Sequence, residues 1–128
     1  MIKQYLVTLI SFLVIDGIWL TVVAKNFYAK HLGFLMAKNP NLIAALIFYL
    51  IYILALVVLV LSPALQKNSL QTAIIYGALF GLCCYATYDL TNLATIANWP
   101  LIVTIVDLIW GTVLSASVAA ISFLILHR

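Results

Sequence analysis

Charge is what this sequence has least of. Of its 128 residues 7% are charged and 67% are apolar, and the mean hydropathy is +1.25, whereas a soluble domain carries about 25% charged residues. That scarcity excludes a soluble domain of any size. The formal charge of +3 is no nucleic-acid footprint either. The six basic residues, Lys3, Lys25, Lys30, Lys38, Lys67 and Arg128, fall at span ends or in loops, where they act as interfacial anchors. No nucleic-acid partner is expected. Cysteine is also scarce. Cys83 and Cys84 are chain neighbours in an apolar run, which excludes a spaced disulfide or metal framework and leaves them to pack as small apolar residues. Absent too are a His-rich metal motif, an activated Ser or Cys, and a glycine pattern for nucleotides. His31 and His127 read as interfacial residues, so no metal and no cofactor is expected.

What remains are four apolar runs, residues 5–24, 42–62, 70–95 and 99–126. Each reaches the ~20 residues that cross a ~30 Å hydrocarbon core. The pattern predicts an all-α, integral membrane four-helix bundle, a single domain over residues 1–128 with both termini on one side. Asp16 and Trp19 are poor company for a cleaved leader, so the first run reads as a retained span. The connection 25–41 is expected to be the longest, with Leu32, Phe34, Leu35 and Met36 forming a short segment in the headgroup layer. Asn39-Pro40-Asn41 suits a helix start. Ser62-Pro63 is expected to end the second span, and Asn98 to cap the fourth, with Pro100 in its first turn. Three basic residues on each side give no orientation by the positive-inside rule.

The polar residues inside the runs are ordered. Tyr85, Tyr88, Asp89 and Asn92 stand at i, i+3, i+4 and i+7 and share one helix face. Tyr5, Thr8, Phe12, Asp16 and Trp19 form a stripe on the first span, and Tyr49 and Tyr52 one face of the second. Ala73, Gly77 and Gly81 recur every four residues, the small-xxx-small pattern of close helix approach. Thr104, Asp107, Gly111, Ser115 and Ser122 run down the fourth. At ~1.5 Å per residue, Asp16 lies ~12 Å from residue 24, Asp107 ~13 Å from residue 98, Asp89 ~9 Å from residue 95 and Tyr49 ~12 Å from residue 41. All four reference points are on one side of the membrane. The three acids of the protein are therefore expected at one depth, in a cavity open towards the loops and walled by Tyr49, Tyr52, Tyr85, Tyr88 and Asn92.

Buried ionisable residues in a span point to function. With no Lys or Arg inside a run, the acids must keep protons, hold a cationic guest or stay wet. Phenol and amide donors on its own face predict that Asp89 holds the charge, while Asp16 and Asp107 share a proton. An echo, Asp16-Gly17-Ile18-Trp19-Leu20-Thr21-Val22 against Asp107-Leu108-Ile109-Trp110-Gly111-Thr112-Val113, is either a remnant of an inverted repeat or chance. The leading reading is a pocket of Asp16, Trp19, Tyr49, Tyr52, Tyr85, Tyr88, Asp89, Asn92, Asp107 and Trp110. It would bind or transport a small amphipathic or cationic ligand or a lipid, with proton exchange. Four spans are few for a transport path, so transport implies a homodimer. One alternative is a lipid-modifying enzyme or accessory subunit, with Asp89 or Asp107 as acid or base and Tyr88 and Asn92 as polarising groups. The other is a cluster that only staples helices together.

The combined string Asp16-x-x-Trp19, Phe27-Tyr28, Phe48-Tyr49, Tyr88-Asp89-Leu90-Thr91-Asn92-Leu93-Ala94-Thr95, Trp99-Pro100 and Asp107-x-x-Trp110-Gly111-Thr112 resembles an uncharacterised bacterial four-span membrane family of unknown function. The resemblance covers nearly the whole chain. It implies a multi-pass protein of the bacterial inner membrane with no assigned activity, and hints at lipid as the partner.

Overall fold

The computed structural model describes residues 1–127; Arg128 lies outside them. Four helices follow one another: α1 (Ile2–Leu32), α2 (Leu42–Lys67), α3 (Leu70–Thr95) and α4 (Leu101–Leu126), each long and apolar enough to cross a membrane. The connections are short, and successive helices run antiparallel, so the first and last helices bring both chain ends to one side. The other end, where α1 meets α2 and α3 meets α4, is called the acid end below. Asn41 caps α2 by accepting from Ala44 N at 3.1 Å, and Ser69 caps α3 by accepting from Thr72 N at 3.1 Å. Between α2 and α3 the chain turns on Asn68, whose left-handed backbone (φ 49°) ends the helix.

α1 and α2 are longer than the apolar runs suggest. α1 does not stop at Ala24 but passes through a π-turn at Leu20–Ala24 and continues as helix over Lys25–Leu32. Its 31 residues amount to about 46 Å, more than the hydrocarbon thickness, and the exposed Lys25 and Lys30 on its last turns can reach for the headgroups. The true connection begins only at Gly33, so Leu32 is a buried helical residue and not part of a headgroup segment. Ser62-Pro63 does not break α2. A π-turn at Val57–Leu61 precedes it and helix continues to Lys67. Proline removes the bond to the carbonyl four residues back and crowds it, and a local π adjustment is one way a membrane helix absorbs that. Asn98 does not cap α4: it takes the left-handed conformation (φ 63°), and Pro100 stands at the cap position without a side-chain bond.

α4 is the centre of the bundle. Its stripe Thr104, Asp107, Gly111, Ser115 and Ser122 is buried as the spacing predicts, and it packs against all three other helices. The α3 seam is the tightest. A Cβ added to Gly77 would meet Ser115 O at 2.8 Å and Ala119 Cβ at 3.0 Å, one on Gly81 would collide with Gly111 O, and one on Gly111 would enter the Tyr85 ring. The main core, towards the chain ends, joins Phe12, Tyr52, Leu56, Val60, Leu114 and Phe123. A smaller cluster of Leu32, Trp99 and Val103, backed by Phe27 and Tyr28, closes the acid end. α2 leaves the bundle there: Leu42, Ile43, Leu46, Ile47, Phe48 and Ile51 are all exposed.

Gly81 and Gly17 make a controlled pair. Overpacking a close seam costs about 1–3 kcal/mol, whereas the Gly17 Cβ position is empty to 4 Å. Gly81→Ala should therefore lower the thermal unfolding midpoint in detergent, and Gly17→Ala should leave it unchanged or raise it.

Candidate functional site

The α3–α4 seam sets the site. The register that puts Gly81 on Gly111 brings Asp89, two turns further along α3, opposite the first turns of α4. There its main-chain oxygen accepts from Thr104 Oγ1 at 3.4 Å, and Thr104 in turn accepts from Trp99 Nε1 at 3.1 Å. The Asp89 carboxyl then faces the carboxyl of Asp107. Asp89 is 0% exposed and Asp107 5%. The two are not alike in their bonding. Asp107 Oδ1 accepts a hydrogen bond from the Tyr28 hydroxyl, while neither carboxyl oxygen of Asp89 meets an N–H, phenol or alcohol donor, and the group it faces is the Asp107 carboxyl.

Tyr28 was not expected in the site. α1 carries it there because a π-turn closes i→i+5 instead of i→i+4 and so absorbs one extra residue. Eleven residues make about three α turns; after the insertion, the residue above Asp16 is Tyr28 and not Phe27. Side chains on a helix lean towards its N-terminus, which lowers the Tyr28 hydroxyl to Asp107. Only the Phe27-Tyr28 element of the family resemblance marked this residue in the sequence.

The three acids do not meet as one cluster. Asp16 is buried (7% exposed), but its neighbour is the Trp110 indole, whose Nε1 lies beside the carboxyl without closing a hydrogen bond. Asp89 and Asp107 are thus a pair, with Asp16 apart, and the expected pairing of Asp16 with Asp107 is replaced by Asp89 with Asp107. The echoed motifs do meet. Trp19 and Trp110 stack face to face where α1 crosses α4, centroids 4.3 Å apart and 8° from parallel, with Trp19 beside the Tyr28 hydroxyl.

The tyrosines divide. Tyr52 is buried and hydrogen-bonded to Ser115. Tyr49 is half-buried, with its ring on Phe12 at 5.4 Å, and Tyr85 packs its ring on the α4 backbone at Gly111. Tyr88 is turned outwards, 57% exposed, edge-on to Trp99 at 5.9 Å, with Asn92 beside it. Tyr88 and Asn92 therefore do not supply the hydrogen bonds expected on Asp89. Trp99 is 8% exposed and braces the pair through Thr104.

Nor do the acids line any of three grooves among the described residues, which measure about 290, 240 and 160 Å³. Among the described residues, no three His, Cys, Asp or Glu are placed to share a metal ion.

The arrangement defines a polytopic helical membrane protein built around an intramembrane carboxyl pair. The chain belongs to the family described as "Predicted membrane protein (DUF2177)", whose model matches residues 1–124. No curated protein and no solved structure matches it.

Removing the hydroxyl from Tyr28 takes away the hydrogen bond that it donates to Asp107. A hydrogen bond is worth about 0.5–1.5 kcal/mol net, and about 1.5–3 kcal/mol when it goes to a charged group, so Tyr28→Phe should lower stability measurably in a detergent melt. Tyr88→Phe, at an outward position, should be silent.

Proposed function

We propose that this protein binds a small cationic amphiphile from the bilayer at the Asp89–Asp107 pair, in exchange for a proton. The observation that carries the reading is Asp89: fully buried, facing a second carboxyl, with both oxygens lacking a donor. A buried carboxyl left without a partner is costly, and where a membrane protein retains one its role is functional by default. Among the described residues Lys3, Lys25, Lys30, Lys38 and Lys67 are all exposed, and none acts on the pair as a fixed counter-ion. An electroneutral exchange follows: the cation enters, one carboxyl proton leaves, and the local charge is unchanged.

Tyr28 fits this scheme as the donor that holds Asp107 in place, and the hydrophobic cap of Leu32, Trp99 and Val103 as the lid that keeps bulk water away. Carrying a ligand through the bilayer with four spans would call for a second copy of the chain; binding alone would not. The setting implied by the resemblance is the bacterial cytoplasmic membrane. A lipid-modifying reading finds less support, because Tyr88 is turned away from the carboxyl it would assist.

The test is binding of decylamine, cationic across the whole range, to the protein in lipid nanodiscs from about pH 5 to about pH 8. The groups around the pair are Tyr28 on α1, Tyr85 and Tyr88 on α3 and, further off, Asp16. The tyrosines stay neutral throughout this range. Because a proton competes with the cation, affinity should rise with pH, by up to about tenfold per unit while the free pair is fully protonated. Asp89→Asn should abolish the dependence. Affinity independent of pH would contradict the proposal.

A further inference from the structure

The acid pair has almost no surface through which a ligand could arrive from water: Asp89 is 0% exposed and Asp107 5%, beneath the cluster of Leu32, Trp99 and Val103. From the side the barrier is thinner. Where α2 leaves the bundle, a groove of about 160 Å³ opens to the bilayer between α2 and α3, lined by Phe48, Cys84, Tyr85 and Tyr88. Its inner wall is Tyr85. That ring lies against Gly111, one helical turn from Asp107, and the side chain is within electrostatic range of both Asp107 and Asp16. Tyr85 thus borders the lipid-facing groove on one side and α4 next to Asp107 on the other.

Building on the cation-exchange reading, we infer that this groove is the lateral entrance and tail seat for a single-chain amphiphile whose head is a primary or secondary ammonium. Two observations select that chemistry. The first is the pair of donor-less oxygens on Asp89. An ionised carboxylate only accepts hydrogen bonds, and a protonated amine brings several N–H donors where a quaternary ammonium brings none. The second is the groove itself, narrow and lined by the rings of Phe48, Tyr85 and Tyr88 beside Cys84, a seat for a single apolar tail. The hydrocarbon tail stays in an apolar medium throughout, so tail length adds little driving force. Charge and hydrogen bonding at the head provide the affinity, and the groove decides which shapes pass.

The experiment uses decylamine carrying a diazirine in mid-chain, photolysed on the full-length protein in nanodiscs, with adducts mapped by peptide mass spectrometry. Adducts should concentrate on Phe48, Cys84 and Tyr88, and fall about tenfold or more in Asp89→Asn. Decyltrimethylammonium should compete about tenfold less well than decylamine. Cys84→Trp, which fills the groove, should weaken decylamine by a similar factor while the infrared carboxyl signal of the Asp pair stays as in wild type. Adducts spread over other faces, such as the grooves at Leu59 or Ile109, would overturn the entrance, and so would undiminished affinity in Cys84→Trp. Equal competition by the quaternary amine would overturn the head-group assignment. In each of these cases a persisting Asp89-dependent, pH-dependent affinity leaves the exchange reading standing; loss of all such affinity overturns both.

Discussion

The close approach of α3 and α4 is the constraint on which the rest of this molecule depends. Gly77 and Gly81 meet Ser115, Ala116 and Gly111 with no room for a Cβ, so the two backbones run nearly in contact over several turns. In a membrane, where burial from water contributes nothing between helices, that kind of packing and the hydrogen bonds beside it are what hold spans together. The antiparallel register follows from the glycines. Each step of four residues up α3 meets a step of four down α4, from Gly77 on Ser115 and Gly81 on Gly111 to Asp89 beside Thr104, and the lean of both side chains towards their own helix N-termini brings the carboxyls of Asp89 and Asp107 together. The carboxyl pair is thus a consequence of the seam, not an independent feature.

The other two helices complete what the seam begins. α1 lays Trp19 on Trp110 and, one π-turn later, delivers Tyr28 to Asp107. α2 packs its inner half on the core through Tyr52, Leu56 and Val60 and then departs, exposing residues around Phe48. Both helices contain a π-turn, at Leu20–Ala24 and at Val57–Leu61. π-turns recur at functional sites, and here one sets which of two adjacent aromatic residues, Phe27 or Tyr28, looks at an acid.

Much of this was legible in the sequence, and the part that was not has a physical reason. The four spans, the buried stripe from Thr104 to Ser122, the small-residue seam and the inward faces of Asp16, Asp89 and Asp107 all follow from a period of 3.6. That period fails wherever the helix departs from it. The insertion at Leu20–Ala24 shifts every later residue of α1, which hid Tyr28. Lys25 suggested an interface because a charge usually marks one, yet a long side chain can reach headgroups from a helix that continues. Asp16 was placed by counting from that false end, and so was grouped with the other two acids, whereas its neighbour is Trp110. Tyr88 shares a face with Asp89 only within the ~100° breadth of a helix stripe. The seam with α4 passes on the Tyr85 side, leaving Tyr88 outside, a choice that only the tertiary contact makes.

The central claim is that Asp89 and Asp107 face one another as one buried carboxyl pair, with Asp16 apart, and that this pair is the seat of the proposed exchange of a proton for a cation. Infrared spectroscopy of the purified protein in lipid at about pH 7 reads this directly, since a protonated carboxyl has a C=O stretch that a carboxylate lacks. The account predicts such a band in the wild type, diminished or lost in Asp89→Asn and retained in Asp16→Asn. A wild-type spectrum at neutral pH with only carboxylate bands, or a band that vanishes with Asp16 and survives the loss of Asp89, would contradict it.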